Sequence, residues 1–304
     1  MDHILVPLDG STLGESVLPY VKLVAKATNA QVDLLMIAEP QEGPTKKTTA
    51  PARSTAVKAA EAYVEKVSKY FIDARCHVTH RVAVGVPAAQ IIRATEQDPI
   101  TMTAMSTHGR SGVTRWMLGS VTDKVLRGGA GPLLVVRPAP RSPIGPELDL
   151  KRVVVPLDGS AQGEEVLPQV VNLANALDLQ VVLVRVTPSV MDYLRWASGG
   201  EYGAVAGSIQ DFTETAEAVD AEAMEYLDKV CARLQGDGLK PTAELEHGDP
   251  AQAIIDMVSD ADGSFVAMTT SGRTGIARAA LGSVADRVVR HCGAPVLLIR
   301  PAKS

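Results

Sequence analysis

Short, nearly uninterrupted apolar runs alternate with longer amphipathic stretches along the chain. In the first half, ILVPL (4–8), VDLLMIA (32–38), HVTHRVAV (77–84), ITMTAMS (100–106) and LLVVR (133–137) read as strands. Residues 12–28, 54–74, 87–96 and 119–128 read as the helices between them. Val17, Val21 and Val24 share one helical face, as do Val57, Ala60 and Val64. Pro19 and Pro168 are awkward inside a helix, and should kink it or lie in its first turn. Near-continuously apolar strands separated by helices predict a mostly parallel sheet covered on both faces. Such a sheet takes ligands beyond the carboxyl ends of its strands, where strand order reverses.

The pattern is written twice. ILVPLDGS (4–11) returns as VVVPLDGS (153–160), an offset of 149 that also matches Glu15, Val17, Leu18 and Pro19 to Glu164, Val166, Leu167 and Pro168. Farther on the offset is 163: Tyr63, Lys66 and Val67 match Tyr226, Lys229 and Val230, and Gly85 and Pro87 match Gly248 and Pro250. GRSGVTRWMLGSVTDKVLR (109–127) matches GRTGIARAALGSVADRVVR (272–290), and PLLVVRP (132–138) matches PVLLIRP (295–301). The second copy is therefore 14 residues longer, with the surplus inside roughly 187–215. This period exceeds that of solenoid repeats, so each copy is a whole domain. The reading is α/β: two tandem doubly wound domains, 1–140 and 151–304, each a mostly parallel five-stranded sheet with helices on both faces. Residues 141–150, in a proline-rich stretch, read as the linker.

Composition agrees with two domains and narrows the function. The chain has 304 residues, 46% hydrophobic and 21% charged, which excludes wholesale disorder. A net charge of −5 and only 4% aromatic residues argue against a nucleic-acid partner. No apolar run reaches the ~18–20 residues that span a bilayer, and the first segment reads as a strand, so no membrane partner is expected. Three cysteines, Cys76, Cys231 and Cys292, form no CxxC pair, which suits a reducing cytoplasm.

Candidate chemistry gathers in the loops after strands one and four. Asp9 and Asp158 end the first strand of each half, each followed by Gly-Ser. A carboxylate there can accept from a diol such as a ribose; the same tripeptide is also ordinary turn and cap chemistry, with Ser11 or Ser160 as the cap. After strand four, nine residues separate Gly109 from Gly119 and Gly272 from Gly282. Each second glycine precedes a serine, Ser120 or Ser283, that opens a helical run. Glycine lets backbone amides approach a ligand, and a helix start offers unpaired N–H groups that favour phosphate. Arg110, Arg115, Arg273 and Arg278 could reach phosphate but are more simply solvated.

These residues resemble the universal stress protein family, with two family domains covering almost the whole chain. The resemblance implies an adenine nucleotide alpha hydrolase-like fold, an adenine nucleotide as partner, and ATP bound with magnesium carried by its phosphates. The family's nucleotide-binding pattern is G-x-x-G, nine residues, then G-[S/T]. It places Ser106 and Thr269 at the first glycine, Gly109 and Gly272 at the second, and Gly119–Ser120 and Gly282–Ser283 at the third. The first glycine is thus replaced in both halves. The resemblance implies adenine near Ile37 or Val186, the ribose at Asp9 or Asp158, and phosphates on the glycines, serines and next amides. Pro7, Met105, His108, Val121 and Thr122 complete the candidate set in the first half, and Pro156, Met268 and Val284 in the second. It also implies pairing of the two domains through their last strands, 133–137 and 296–300, with a homodimer of the whole chain as a further expectation.

Other signals are weaker. There is no GxxxxGK[ST], and RGGAGP (127–132) runs from helix to strand, the reverse of a dinucleotide fingerprint. Cys76, His77 and His80 alternate along a strand and should not converge on a metal. No Ser/His/Asp or Cys/His grouping marks a hydrolase. The leading expectation is a cytoplasmic ATP-binding stress-response regulator. The alternatives are a nucleotide-free interaction module and a slow ATPase with His108, whose counterpart in the second copy is Ser271, positioning water. The surplus segment, with Tyr193, Trp196 and Tyr202, reads either as a lid over the second site or as a surface insertion.

Overall fold

The computed structural model describes residues 1–38, 50–97, 101–107, 118–138, 148–198, 209–271 and 281–301. Among the sequence expectations, His108, Gly109, Gly272, the four loop arginines, most of the linker and Tyr202 lie outside the described residues.

The first repeat runs β1 (His3–Leu8), α1 (Leu18–Thr28), β2 (Gln31–Ala38), α2 (Ala50–Ile72), β3 (Val78–Val84), α3 (Pro87–Gln97), β4 (Met102–Ser106), α4 (Ser120–Gly128) and β5 (Leu133–Val136). The second runs β6 (Arg152–Pro156), α5 (Ala161–Glu164), α6 (Leu167–Leu177), β7 (Gln180–Thr187), α7 (Val190–Ser198), α8 (Ile209–Gly236), β8 (Thr242–His247), α9 (Pro250–Ser259), β9 (Ser264–Thr269), α10 (Ser283–His291) and β10 (Val296–Ile299).

The chain divides into two compact units. The first spans Met1–Asp149 and also takes in Gly293–Arg300. Its strands lie in the order β3-β2-β1-β4-β5-β10. The first five are parallel, and β10 runs antiparallel to β5 with Leu297 opposite Leu134. In this unit the Arg300 guanidinium donates to the carbonyls of Leu126 and Gly129 at the end of α4, where helix carbonyls lack partners. The second unit, Leu150–Ile276 with Gly282–Cys292, has the parallel order β9-β6-β7-β8. Each unit thus reverses strand order beside its first strand, between β1 and β4 and between β6 and β9. That position is where a doubly wound sheet opens a ligand crevice.

Burial explains the apolar runs. Ile4, Leu5 and Val6 of β1 and Val153, Val154 and Val155 of β6 have no exposed surface, because helices cover both sheet faces. The helices bury narrow stripes: Thr122, Val125 and Leu126 of α4, and Ala285, Val288 and Val289 of α10, at i, i+3 and i+4.

One expected element is divided. The helix read over 12–28 begins only at Leu18, after a 3-10 turn over Gly14–Val17. Pro19 lies in the first turn of α1, as does Pro168 in α6. Proline has no N–H to donate four residues back, so the α ladder starts no earlier than this turn.

Candidate functional site

Both repeats close the loop after their first strand in the same way. Asp9 Oδ1 accepts from the Ser11 amide at 2.9 Å and the Ser11 hydroxyl at 2.7 Å. Ser11 Oγ in turn accepts from the Gly14 amide at 2.9 Å. In the second repeat Asp158 Oδ1 accepts from Ser160 N at 3.0 Å and Ser160 Oγ at 2.6 Å, and Gly163 N donates to Ser160 Oγ at 3.0 Å. Ser160 thereby caps α5. The turn-and-cap chemistry is real, and it also fixes the carboxylate in place. At the glycine that follows, a Cβ would come within 2.5 Å (Gly14) or 2.8 Å (Gly163) of that Oδ1, so the carboxylate would have to shift.

The second glycine loop ends in a helix start. Gly119 N–H donates to Thr107 O and Gly282 N–H to Thr270 O, both at 2.7 Å. These bonds tie the end of the fourth strand to the start of α4 or α10. Within α10 the Asp286 amide bonds Gly282 O, so the amides of Ser283, Val284 and Ala285 precede the helix ladder. They carry the positive end of the helix dipole. Asp286 is paired with Arg290 at 2.8 Å, which offsets the carboxylate's charge in that turn. The four residues Ser120, Val121, Ser283 and Val284 lie in the first turns of α4 and α10. In the first repeat Thr122 Oγ1 donates to Ser106 O at 2.9 Å, a second tie between helix and strand. Ala285 replaces that threonine in the second.

In the second unit these parts enclose a cleft of about 250 Å³. Eight residues singled out in the sequence line it: Pro156, Asp158, Val186, Met268, Thr269, Gly282, Ser283 and Val284. The sequence reading missed Leu157, Gly163, Val184, Pro250, Ile254, Thr270, Ser271 and Ala285, which line it too. Val184 was available from strand alternation, since it shares a face with Val186. Pro250 closes the repeated Gly-x-Pro after the third strand, and Ile254 lies one helical turn beyond it. Arg185 and Thr187 turn to the opposite face, toward α8: Arg185 lies over the Tyr226 ring at 5.3 Å, and Thr187 bonds Asp220. None of the described residues within 187–215 lines the cleft.

The first-repeat candidates occupy corresponding places. Pro7 is in β1 and Asp9 just beyond it; Ile37 is in β2; Met105 and Ser106 end β4; Gly119 caps α4. Met105 and Ser106 are buried. At the replaced first-glycine positions, Ser106 Oγ receives a bond from Ser16 Oγ at 3.4 Å, while Thr269 Oγ1 donates to Ser271 O at 3.0 Å. Among the described residues, no three His, Cys, Asp or Glu side chains group as a metal site would require.

The universal stress protein family model matches residues 1–137 and again residues 149–300. A universal stress protein of Methanocaldococcus jannaschii is 29% identical over 153 residues, 50% of this chain and 84% of that protein. A universal stress protein structure from Archaeoglobus fulgidus superposes with a TM-score of 0.67 at 18% identity, covering 99% of this chain and 97% of that one. A putative universal stress protein structure from Pseudomonas aeruginosa gives 0.68 at 15% identity, covering 99% and 94%. At these identities the two structures speak for the fold. No described helix is long and apolar enough to cross a membrane.

Proposed function

Because the chain belongs to the universal stress protein family, we propose that it binds ATP and acts as a nucleotide-dependent regulator of a stress response. The observation that carries this reading is the lining of the second-unit cleft. Apolar Val184, Val186, Ile254 and Met268 share it with Asp158, Gly282 and Ser283. The apolar set suits a purine ring. Asp158 is an acceptor for ribose hydroxyls, and the amides opening α10 are donors for phosphate oxygens. Magnesium carried by the phosphates would supply charge neutralisation there. Corresponding residues of the first repeat form the second proposed site.

A nucleotide-free interaction module has one observation in its favour. The Thr269 hydroxyl, where the family pattern has glycine, is already bonded within its own loop. The reading further includes a cytoplasmic setting, pairing of the repeats through β5 and β10, and homodimers of the chain.

Native mass spectrometry of the purified chain with Mg-ATP tests the proposal. Adducts of one or two ATP that vanish in Asp9→Ala/Asp158→Ala support it. Absence of adducts at millimolar ATP favours the interaction module.

A further inference from the structure

Glu164 ends α5 immediately after Gly163, the residue at which a Cβ would come within 2.8 Å of the Asp158 carboxylate. Its side chain leaves that loop and meets α8 twice. Tyr226 OH donates to Glu164 Oε1 at 3.0 Å, and Arg233 Nη2 lies 2.6 Å from Oε2. Tyr226 and Arg233 are seven residues apart, so they lie along one helical face. The Tyr226 ring in turn supports Arg185, which is only 9% exposed. Burial, the Glu164 bond and the charges of Glu164 and Asp158 all push the Tyr226 phenol up, which keeps it a neutral donor to that carboxylate.

The first repeat has the same link. Tyr63 OH donates to Glu15 Oε1 at 2.9 Å, and Glu15 follows Gly14, which abuts Asp9. There the positions of Arg185 and Arg233 are Met36 and Tyr70, so neither arginine has a counterpart.

We propose that Tyr226–Glu164, and Tyr63–Glu15 in the first repeat, are positioning clamps that hold the loop carrying Asp158 or Asp9 in its ligand-binding geometry. The physical need is local. A four-residue helix has too few internal hydrogen bonds to hold its own orientation, so the Ser160 cap and the clamp set where the carboxylate points. Arg185 and Arg233 add contacts to the second clamp. The inference rests on the proposed nucleotide site for its consequence and on the loop geometry for its cause.

The test uses the full chain and two readouts. Hydrogen exchange without ligand reads amides 158–164; calorimetry with Mg-ATP reads affinity. Tyr226→Phe and Glu164→Ala are expected to lose loop protection and to weaken ATP at the second site about three- to tenfold. Glu164→Gln, which keeps an acceptor oxygen, stays within about twofold of the parent, and the double variant Tyr226→Phe/Glu164→Ala is no worse than Glu164→Ala alone. Unchanged loop protection in Tyr226→Phe overturns the clamp. So do losses that add in the double variant. If protection falls as expected but the parent chain shows no ATP heat, the clamp stands and the nucleotide reading fails.

Discussion

Asp220 Oδ2 lies 2.9 Å from Nε2 of His247, and its Oδ1 accepts from Thr187 Oγ1 at 2.6 Å. The equivalent residues of the first repeat are Val57, Val84 and Ala38, which pack with Met36, Ala60 and Val64. Sheet register confirms the equivalence: Ala38 pairs with Val84 across β2 and β3, as Thr187 pairs with His247 across β7 and β8. One repeat therefore docks its long helix on the edge of the sheet with methyl groups, and the other with a titratable pair.

This difference predicts a pH dependence specific to the second unit. Burial alone pushes the Asp220 carboxyl up, but bonds from His247 and Thr187 and the charge of a protonated His247 outweigh it and hold the carboxyl below the usual range. A pKa lowered in the folded state contributes stability above the unfolded-state value of roughly 3.9, lost as pH falls through the folded value. The triple change Thr187→Ala, Asp220→Val and His247→Val copies the first repeat. It is expected to flatten the stability profile below about pH 4. At neutral pH the change stays within about 1 kcal/mol, because both partners are partly exposed. Urea unfolding across the acid range checks this; an unaltered slope would refute it.

Thr103 supplies a prediction about stability alone. Its hydroxyl is buried and has no hydrogen-bond partner among the described residues. Leu5 pairs with Thr103 as Val154 pairs with Val266, so the second repeat holds valine at this point. Thr103→Val removes an unsatisfied polar atom and keeps the branched shape. It is expected to stabilise the chain by about 1 kcal/mol, seen as a raised thermal midpoint. A lowered midpoint would mean that the hydroxyl does have a partner.

Gly14 and Gly163 test how closely the first-strand carboxylates are held. Alanine at either site brings a methyl carbon into Asp9 or Asp158, and the carboxylate must move. Each single Gly→Ala change is expected to weaken ATP about tenfold at its own site, with a small effect on helix content. Calorimetry of the two variants checks it, and parental affinity in both would show that the carboxylates do not contact the ligand.

Much of this molecule is legible in the sequence because it is written twice. The strand-one aspartates, the glycine-serine helix starts and the residue near the end of strand two could be placed by repeat offset and strand polarity, and in the second unit the described members line one cleft. Other features were hidden for physical reasons. The 3-10 turn before α1 depends on how Pro19 ends the hydrogen-bond ladder, which apolar spacing does not report. Ile254 reaches the cleft from α9, a contact set by helix packing and not by a motif. Thr187, Asp220 and His247 stand on two strands and a helix, far apart in the chain. Their signal is the loss of apolar residues at three repeat-equivalent positions, visible only when the repeats are compared residue by residue.

The central claim is that Asp158 and the start of α10 together hold ATP. Isothermal titration of Mg-ATP into the full chain and into Asp158→Asn tests it most directly. The account predicts saturable heat for the parent chain and a loss of at least about tenfold in affinity at one site in the variant, equal to some 1.4 kcal/mol. No heat from the parent at millimolar ATP, or identical isotherms for the two proteins, would contradict it.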